Sequence, residues 1–406
     1  MKNIALIGYG VVGHGVADLL SKNADIIAKR AGDQIRLKHI LTARPRADDP
    51  RQELLTQNAD DIFGDCGVSV VVECINDLDA AYRYCRRSLS AGKHYVTSNK
   101  NLIATYGVEL TELAARNSVA LMFEASVAAG IPVLRPLCKC LSSNRVTGVM
   151  GIVNGTTNYI LTQMKREGRA FDDALRDAQR LGYAETDPSA DVLGFDACRK
   201  LAILLSIAFD RYVRYKEIPA EGITAVTSAD ITLAERLGYS MKLIAMGRLT
   251  PSDRIYARVS PLLIPHDHLL ASVDDVFNAV AVSADTAGDV LFYGRGAGAE
   301  PSASSIVGDV IDIVTSGRYN DPVWREDYRP LLPADENVGP LFVRASLPER
   351  EKLLQLFPEG IAAAEGENLG FITTPGLERK LREDIQAAGI ETGAIWRVFS
   401  RAEDDA

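Results

Sequence analysis

Short apolar runs alternate with stretches of helical period through the first third of the chain. Apolar runs fall at Ile4–Ile7, Leu37–Leu41, Val68–Val72, His94–Thr97 and Ala120–Phe123. Between them, helix-period stretches cover Val11–Ser21, Ala80–Ala91 and Gly107–Asn117. The runs are continuously apolar rather than alternating, as expected of strands covered on both faces. The pattern therefore predicts an α/β fold with a parallel sheet. After Gly130 the character changes to α+β. A strand over Val146–Val153 leads through NGTTNY into helices over Ile160–Glu167 and Phe171–Leu181. A long apolar helix follows, then strands at Arg254–Val259 and Asn278–Val282. The segment DVLFYGRGAGAEPSASSIVGDVIDIV reads as strand, glycine-rich turn and helix, and the helix after Pro301 is expected to return to the first domain. A polar linker, Arg329–Gly339, precedes a β-α-β-β-α-β order, the ferredoxin-like pattern. The expected organisation is a dinucleotide-binding domain over 1–133, a catalytic and dimerisation domain over 134–325, and a βαββαβ module over 340–406.

Composition narrows the function classes. The 406 residues are 47% hydrophobic and 24% charged, with a formal charge of −9. A nucleic-acid or anionic-membrane binder would want a basic stripe instead. No run is long and apolar enough to span a membrane. The six cysteines form no CxxC pair, which predicts reduced thiols in the cytoplasm.

Gly8, Gly10 and Gly13 spell GxGxxG after a strand and before a helix, the context that gives this motif meaning. The glycines permit a tight turn, backbone approach to a pyrophosphate, and close helix–strand packing. With Val11 and Val12 at the helix opening they are the expected cofactor contacts of a Rossmann domain. An acid ending the second strand would suit the ribose of NAD, but LKHILTARPRADDP carries Arg44 and Arg46 there, which suits the 2′-phosphate of NADP. NAD stays open, because Asp48 or Asp49 could take that place.

Asp196 and Lys200 lie four residues apart at the head of an apolar run. On a helical wheel Val192, Asp196, Lys200 and Ile203 share one quadrant, and Leu193, Phe195, Leu201, Leu204 and Leu205 cover much of the rest. This predicts a buried helix. An i,i+4 pair is usually an exposed structural ion pair. Buried charges, in contrast, are costly unless paired or functional, and both readings stay open on pattern alone. Upstream, Asp187 and Asp191 suit a helix start. Glu185 is not needed for that and is the better ligand candidate. Lys100 follows a strand end, where open α/β sheets bind ligands.

Long stretches in order resemble the homoserine dehydrogenase family over about residues 1–320: GYGVVG, VTSNKNLIA, FEASVAAGIPVLRPL, GIVNGTTNYILTQM, LGYAETDPSADVLGFDACRKLAIL and GRGAGAEPSAS. The resemblance implies reversible NAD(P)H-dependent reduction of L-aspartate 4-semialdehyde to L-homoserine, in threonine and methionine biosynthesis. It implies Lys200 as the proton-transfer lysine, Asp196 as its partner, and Lys100 near substrate and nicotinamide. Glu185 would hold the substrate amino group with Asp191 beside it. Apart from the resemblance, a zwitterionic substrate needs donors for its carboxylate, and Thr156, Thr157 and backbone N–H groups near NGTTNY are offered for that; Asn76, Ser98, Lys100 and Gly298 would join the cofactor contacts. Glu124 with the carbonyls of Val127, Ala129 and Ile131 would hold a monovalent cation, Na+ or K+. A homodimer or higher homo-oligomer is expected.

Departures from the family pattern stand at Asn76-Asp77, Ser98 and Leu193. The C-terminal module has the strand order of an ACT regulatory domain but carries ASLPEREKL where a glycine-bearing ligand loop would stand. A degenerate ACT-like module is therefore expected. Two alternatives remain at this point: a reductase of a related amino-acid semialdehyde, and a non-catalytic dinucleotide-binding homologue.

Overall fold

The computed structural model describes residues 1–44, 48–316, 324 and 330–400, so Arg46 lies outside the described residues. The first sheet comprises β1 (Lys2–Ile7), β2 (Ile35–Leu41), β3 (Leu55–Thr56), β4 (Val68–Glu73), β5 (His94–Thr97) and β6 (Leu121–Met122). Its order is β3-β2-β1-β4-β5-β6 and every pairing is parallel. The chain builds outward from β1 on one side and from β4 on the other. The crevice at the carboxyl ends of β1 and β4 is thus the topological switch point, where such sheets bind ligands. Helices α1 (Val11–Lys22), α2 (Ala24–Ala31), α3 (Asp60–Phe63), α4 (Leu78–Ser90) and α5 (Lys100–Arg116) make the crossovers.

The next elements are β7 (Val146–Ile152), α6 (Gly155–Glu167), α7 (Phe171–Arg180), α8 (Ser189–Val192), α9 (Phe195–Ala208) and α10 (Ser228–Arg236). Strands β8 (Tyr239–Leu249), β9 (Ile255–Pro265), β10 (Phe277–Ala284) and β11 (Gly288–Arg295) follow, then α11 (Ala299–Ser316). Helix α11 packs on α1: a Cβ on Gly15 would meet the Ala299 carbonyl at 2.9 Å. Its Ala303, Ile306, Val307 and Val310 share a core with Ile4, Leu6 and Val16.

The C-terminal part holds β12 (Val338–Gly339), β13 (Leu341–Ser346), α12 (Arg350–Leu356), β14 (Ile361–Glu365), β15 (Asn368–Ile372), β16 (Gly376–Leu377), α13 (Glu378–Ala387) and β17 (Thr392–Val398). Its sheet order, β17-β13-β15-β14, is that of a ferredoxin-like fold, and β12 pairs with β16 apart from it. Strand β17 also pairs in parallel with β9 through Arg397↔Leu262 and Val398↔Leu263. One nine-stranded sheet, β11-β10-β7-β8-β9-β17-β13-β15-β14, therefore runs through both parts.

The apolar pattern needs one correction where it matters most. A single wheel over 192–203 does not exist, because Gly194 stands at φ +83 and separates α8 from α9. Left-handed backbone ends a helix, and glycine adopts it without a Cβ penalty. Leu193 and Phe195, expected inside, flank this break and are 37% and 48% exposed. The rest of α9 is buried as expected, with Leu201, Ile203, Leu204 and Leu205 at 1% or less.

Candidate active site

The glycine loop has the shape a dinucleotide needs. Gly8 stands at φ +94, and a Cβ there would meet the Cys74 carbonyl at 2.8 Å. A Cβ on Gly13 would meet the Gly8 carbonyl at 2.1 Å, so helix and loop close only on glycine. Around Gly10 nothing lies within 4 Å, which leaves its backbone open to a pyrophosphate at the start of α1. A cavity of about 560 Å³ opens here, lined by Gly8, Tyr9, Gly10, His14, Arg44 and Asp77 among others. Val11 is exposed beside it, while Val12 packs inward. Gly298, at φ +123, directly precedes α11. Arg44 is an exposed residue of the cavity wall, and Asp49 accepts the Arg51 amide at 2.8 Å and the Tyr9 hydroxyl at 3.3 Å.

The strand ends that frame the crevice are tied together by a buried acid. Glu73 ends β4 and is 0% exposed. Its carboxylate accepts the Ile75 amide at 2.5 Å and the Thr97 hydroxyl at 2.6 Å. Thr97 in turn accepts the Asn99 amide at 2.9 Å. Asn99 caps α5 by accepting Leu102 N–H and donates to the Ile75 carbonyl. Burial pushes the Glu73 carboxyl up to about 7, against the pull of its two hydrogen bonds. Asp77 is the N-cap of α4, accepting Ala80 N–H at 2.7 Å, which gives this departure a structural role. Asn76 is exposed beside it, and the Ser98 amide reaches the Glu73 carbonyl at 3.4 Å.

Lys100, the first residue of α5, meets Asp196, in the first turn of α9, at 2.7 Å. Lys200, one turn further along α9, meets the other oxygen of the same carboxylate at 2.7 Å and donates to the Val153 carbonyl at 2.7 Å. Asp196 is 3% exposed. Burial alone would raise its pKa, but the Lys200 and Lys100 ammoniums outweigh burial and hold the carboxyl well below the usual range. For Lys100, burial presses downward and is overcome by Asp196, so its ammonium is stabilised. Asn154 completes the cluster. Its amide nitrogen donates to Asp191 at 2.7 Å and to Asp196 at 3.0 Å, while its oxygen caps α6 through Thr157 N–H. Asp191 is pushed up by burial and then by the Asp196 charge.

The remaining expected residues divide. Glu185 is exposed on the loop between α7 and α8, next to the cluster in sequence. The structure does not bring the threonine hydroxyls into the opening. Thr156 donates to the Tyr183 carbonyl at 2.6 Å, and Thr157, 1% exposed, bonds back to Asn154. Both hold the NGTTNY turn in shape. The Glu124 carboxylate accepts the backbone N–H groups of Val133, Leu134 and Arg135 at 2.7, 2.9 and 2.7 Å. Of the carbonyls expected with it, Ala129 accepts the Ser305 hydroxyl. Among the described residues no group of three or more His, Cys, Asp and Glu side chains could hold a metal. Asn154 and Glu73 were not singled out in the sequence. Asn before Gly-Thr-Thr is an N-cap signal that could have marked the first.

Comparisons with known proteins agree with this geometry. The model of the homoserine dehydrogenase NAD binding domain matches residues 8–124, and the homoserine dehydrogenase model matches residues 132–311. A homoserine dehydrogenase of Pseudomonas aeruginosa is 44% identical over 312 residues, 77% of this chain and 72% of that protein. The solved homoserine dehydrogenase from Thiobacillus denitrificans superimposes with a TM-score of 0.87 at 35% identity, covering 98% of both chains. A hyperthermophilic archaeal homoserine dehydrogenase in complex with NADPH superimposes at 0.67 with 27% identity, over 80% of this chain and 100% of that one.

Proposed function

The chain belongs to the homoserine dehydrogenase family, and from that premise we propose roles for the residues of its cleft. The enzyme is an NAD(P)-dependent oxidoreductase that interconverts L-aspartate 4-semialdehyde and L-homoserine. A bound nicotinamide dinucleotide supplies the hydride, and the open glycine loop fits it. Reduction of an aldehyde leaves an alkoxide, which needs a stabilising charge and a proton. Lys200 is the proton donor, and Lys100 is the second ammonium facing the same oxygen. Asp196 positions both. One observation carries this reading: two ammoniums from separate helices, one on the dinucleotide side and one on the substrate side, converge at 2.7 Å on a single buried carboxylate. Glu185 and Asp191 are the acids offered to the substrate amino group. NADP is the proposed dinucleotide, supported by Arg44 at the open end of the cavity.

We also propose a cytoplasmic homodimer. It is supported by six cysteines that form no disulfide and by the stacked Phe277 and Tyr293 rings, the latter 54% exposed on the second sheet. No described helix is long and apolar enough to cross a membrane.

The test is Lys200→Ala in the NADP-dependent oxidation of homoserine. Turnover should fall by roughly 10²–10⁴, the usual contribution of a positioned acid or base, with dinucleotide affinity near wild type. Activity within about tenfold of wild type would remove Lys200 as the proton carrier.

A further inference from the structure

The C-terminal module reaches the backbone that carries the cluster acids. Arg397, on β17, is buried. Its Nε and Nη2 donate to Glu378 of α13 at 2.9 and 2.7 Å, and its remaining Nη1 donates to Glu221 at 2.5 Å. Glu378 also takes Arg258 of β9 at 2.9 Å and Arg382 at 3.0 Å. Burial would raise the Glu378 carboxyl, but these guanidiniums, Arg397 first, hold it at about 2. The module's end of this network is therefore firmly charged and fixed in place.

Glu221 belongs to the segment 219–223, which runs along β9. Its amide donates to the Val259 carbonyl at 2.8 Å, and Val259 N–H donates to Pro219 at 3.0 Å. The next residue presses on the break between α8 and α9. A Cβ on Gly222 would meet the Val192 carbonyl at 2.2 Å and Leu193 Cα at 2.7 Å. Ile223 N–H donates to that same carbonyl at 2.9 Å. From the other side, a Cβ on Gly194 would meet Val259 at 3.1 Å. Residues 192–194 are thus seated without slack between Gly222 and β9, with Asp191 just before them and Asp196 just after. A shift of the Glu221 backbone is passed through these contacts to the segment that carries the two acids.

We propose that the C-terminal module braces the catalytic segment. Glu221 and Arg397 are positioning residues that act through Gly222 and the Val192 carbonyl on the placement of Asp191 and Asp196. The proposal rests on the reading of Asp196 and Lys200 as the catalytic pair. Catalytic side chains lose rate when displaced by about half an ångström, so loosening the brace should lower turnover without touching the glycine loop on the other sheet.

The experiment measures kcat and both KM values for Glu221→Ala, Arg397→Ala and the double variant, with Lys200→Ala alongside. Glu221→Ala leaves the Arg397–Glu378 pair intact, so it should melt near wild type and carries the test if Arg397→Ala fails to fold. The expected result is a fall in kcat/KM for homoserine of about three- to thirtyfold, with the dinucleotide KM unchanged. The double variant should be no worse than Arg397→Ala, because that single already removes the Glu221 contact. A folded Glu221→Ala enzyme with wild-type kcat/KM overturns the brace while leaving the catalytic reading intact. Additive losses, or an equal loss in dinucleotide KM, also overturn it. A Lys200→Ala enzyme within tenfold of wild type removes the catalytic reading and the brace with it.

Discussion

Glu73 offers the sharpest physical test, because its carboxyl is buried among groups that cannot supply a counter-charge. Cys74, Cys85 and Tyr95 are each pushed upward first by burial and then by Glu73 itself, so they stay neutral. The carboxyl rises from 4.5 to about 7 on folding. A group raised on folding contributes stability that is fully present below its unfolded pKa and is lost as pH climbs through its folded pKa. Here the window is pH 4.5 to about 7. Glu73→Gln keeps the shape, with its oxygen still accepting Ile75 N–H and its nitrogen able to donate to Thr97, but has nothing to ionise. At 1.36 kcal/mol per unit, the wild type should lose about 2.5 kcal/mol relative to Glu73→Gln between pH 5 and pH 8.

At about 2–4 °C per kcal/mol for a domain of this size, the difference in Tm should shift by about 5–10 °C in favour of the variant over that range. Differential scanning fluorimetry of both proteins at half-unit pH steps reads this directly, since only the change of the difference with pH is used. A difference that stays flat within about 1 °C from pH 5 to 8 would show that Glu73 is ionised throughout, and the desolvation argument would fail.

Asp196→Asn should lower turnover by about 10²-fold or more, since it unties both ammoniums. Without Asp196, burial acts on Lys100 with less opposition, so any limb of the rate profile that reports Lys100 should move to lower pH. An unmoved alkaline limb would show that Asp196 does not set it. Arg44→Asp should weaken NADP relative to NAD by about tenfold or more, the value of a lost charge-assisted hydrogen bond. An unchanged KM ratio would remove Arg44 from cofactor choice.

Local rules made the dinucleotide loop legible. Gly8, Gly10 and Gly13 each serve a constraint set within a few residues, and the structure places a steric reason behind the first and third. The Asp196–Lys200 pair was legible for the same reason, being one turn apart on α9. The Lys100–Asp196 contact was not, because it joins residues brought together only by the packing of α5 on α9. The break at Gly194 was hidden too. A glycine in an apolar helix pattern is usually tolerated, and the groups that crowd this one, Val259, Ala220 and the Glu221 carbonyl, are remote in sequence. The thread from β9 to β17 was equally out of reach, since strand pairing between the two parts leaves no periodic mark. Thr156 and Thr157 looked like substrate donors, but a hydroxyl beside a helix start has nearby backbone groups to satisfy, and these two do.

The shared carboxylate has a consequence for how the two halves of the cleft meet. Lys100 rides on α5, which follows a strand of the dinucleotide sheet, whereas Asp196 and Lys200 ride on α9, which packs under the second sheet. The Lys100–Asp196 contact is therefore both an electrostatic device and a clamp across the cleft. The same two requirements act on one carboxylate. It must be charged to hold two ammoniums, and it must be fixed so that Lys200 and the dinucleotide sheet keep one spacing. Asn154 and the Val153 carbonyl supply the fixing from β7 and α6, and the break at Gly194 aims the helix. Placing the acid in the first turn of α9 also lets the positive end of that helix favour its charge, in line with its depressed pKa. The apolar remainder of α9 then has a definite use. It fixes the helix against the core, and with it the place of Asp196 in the first turn.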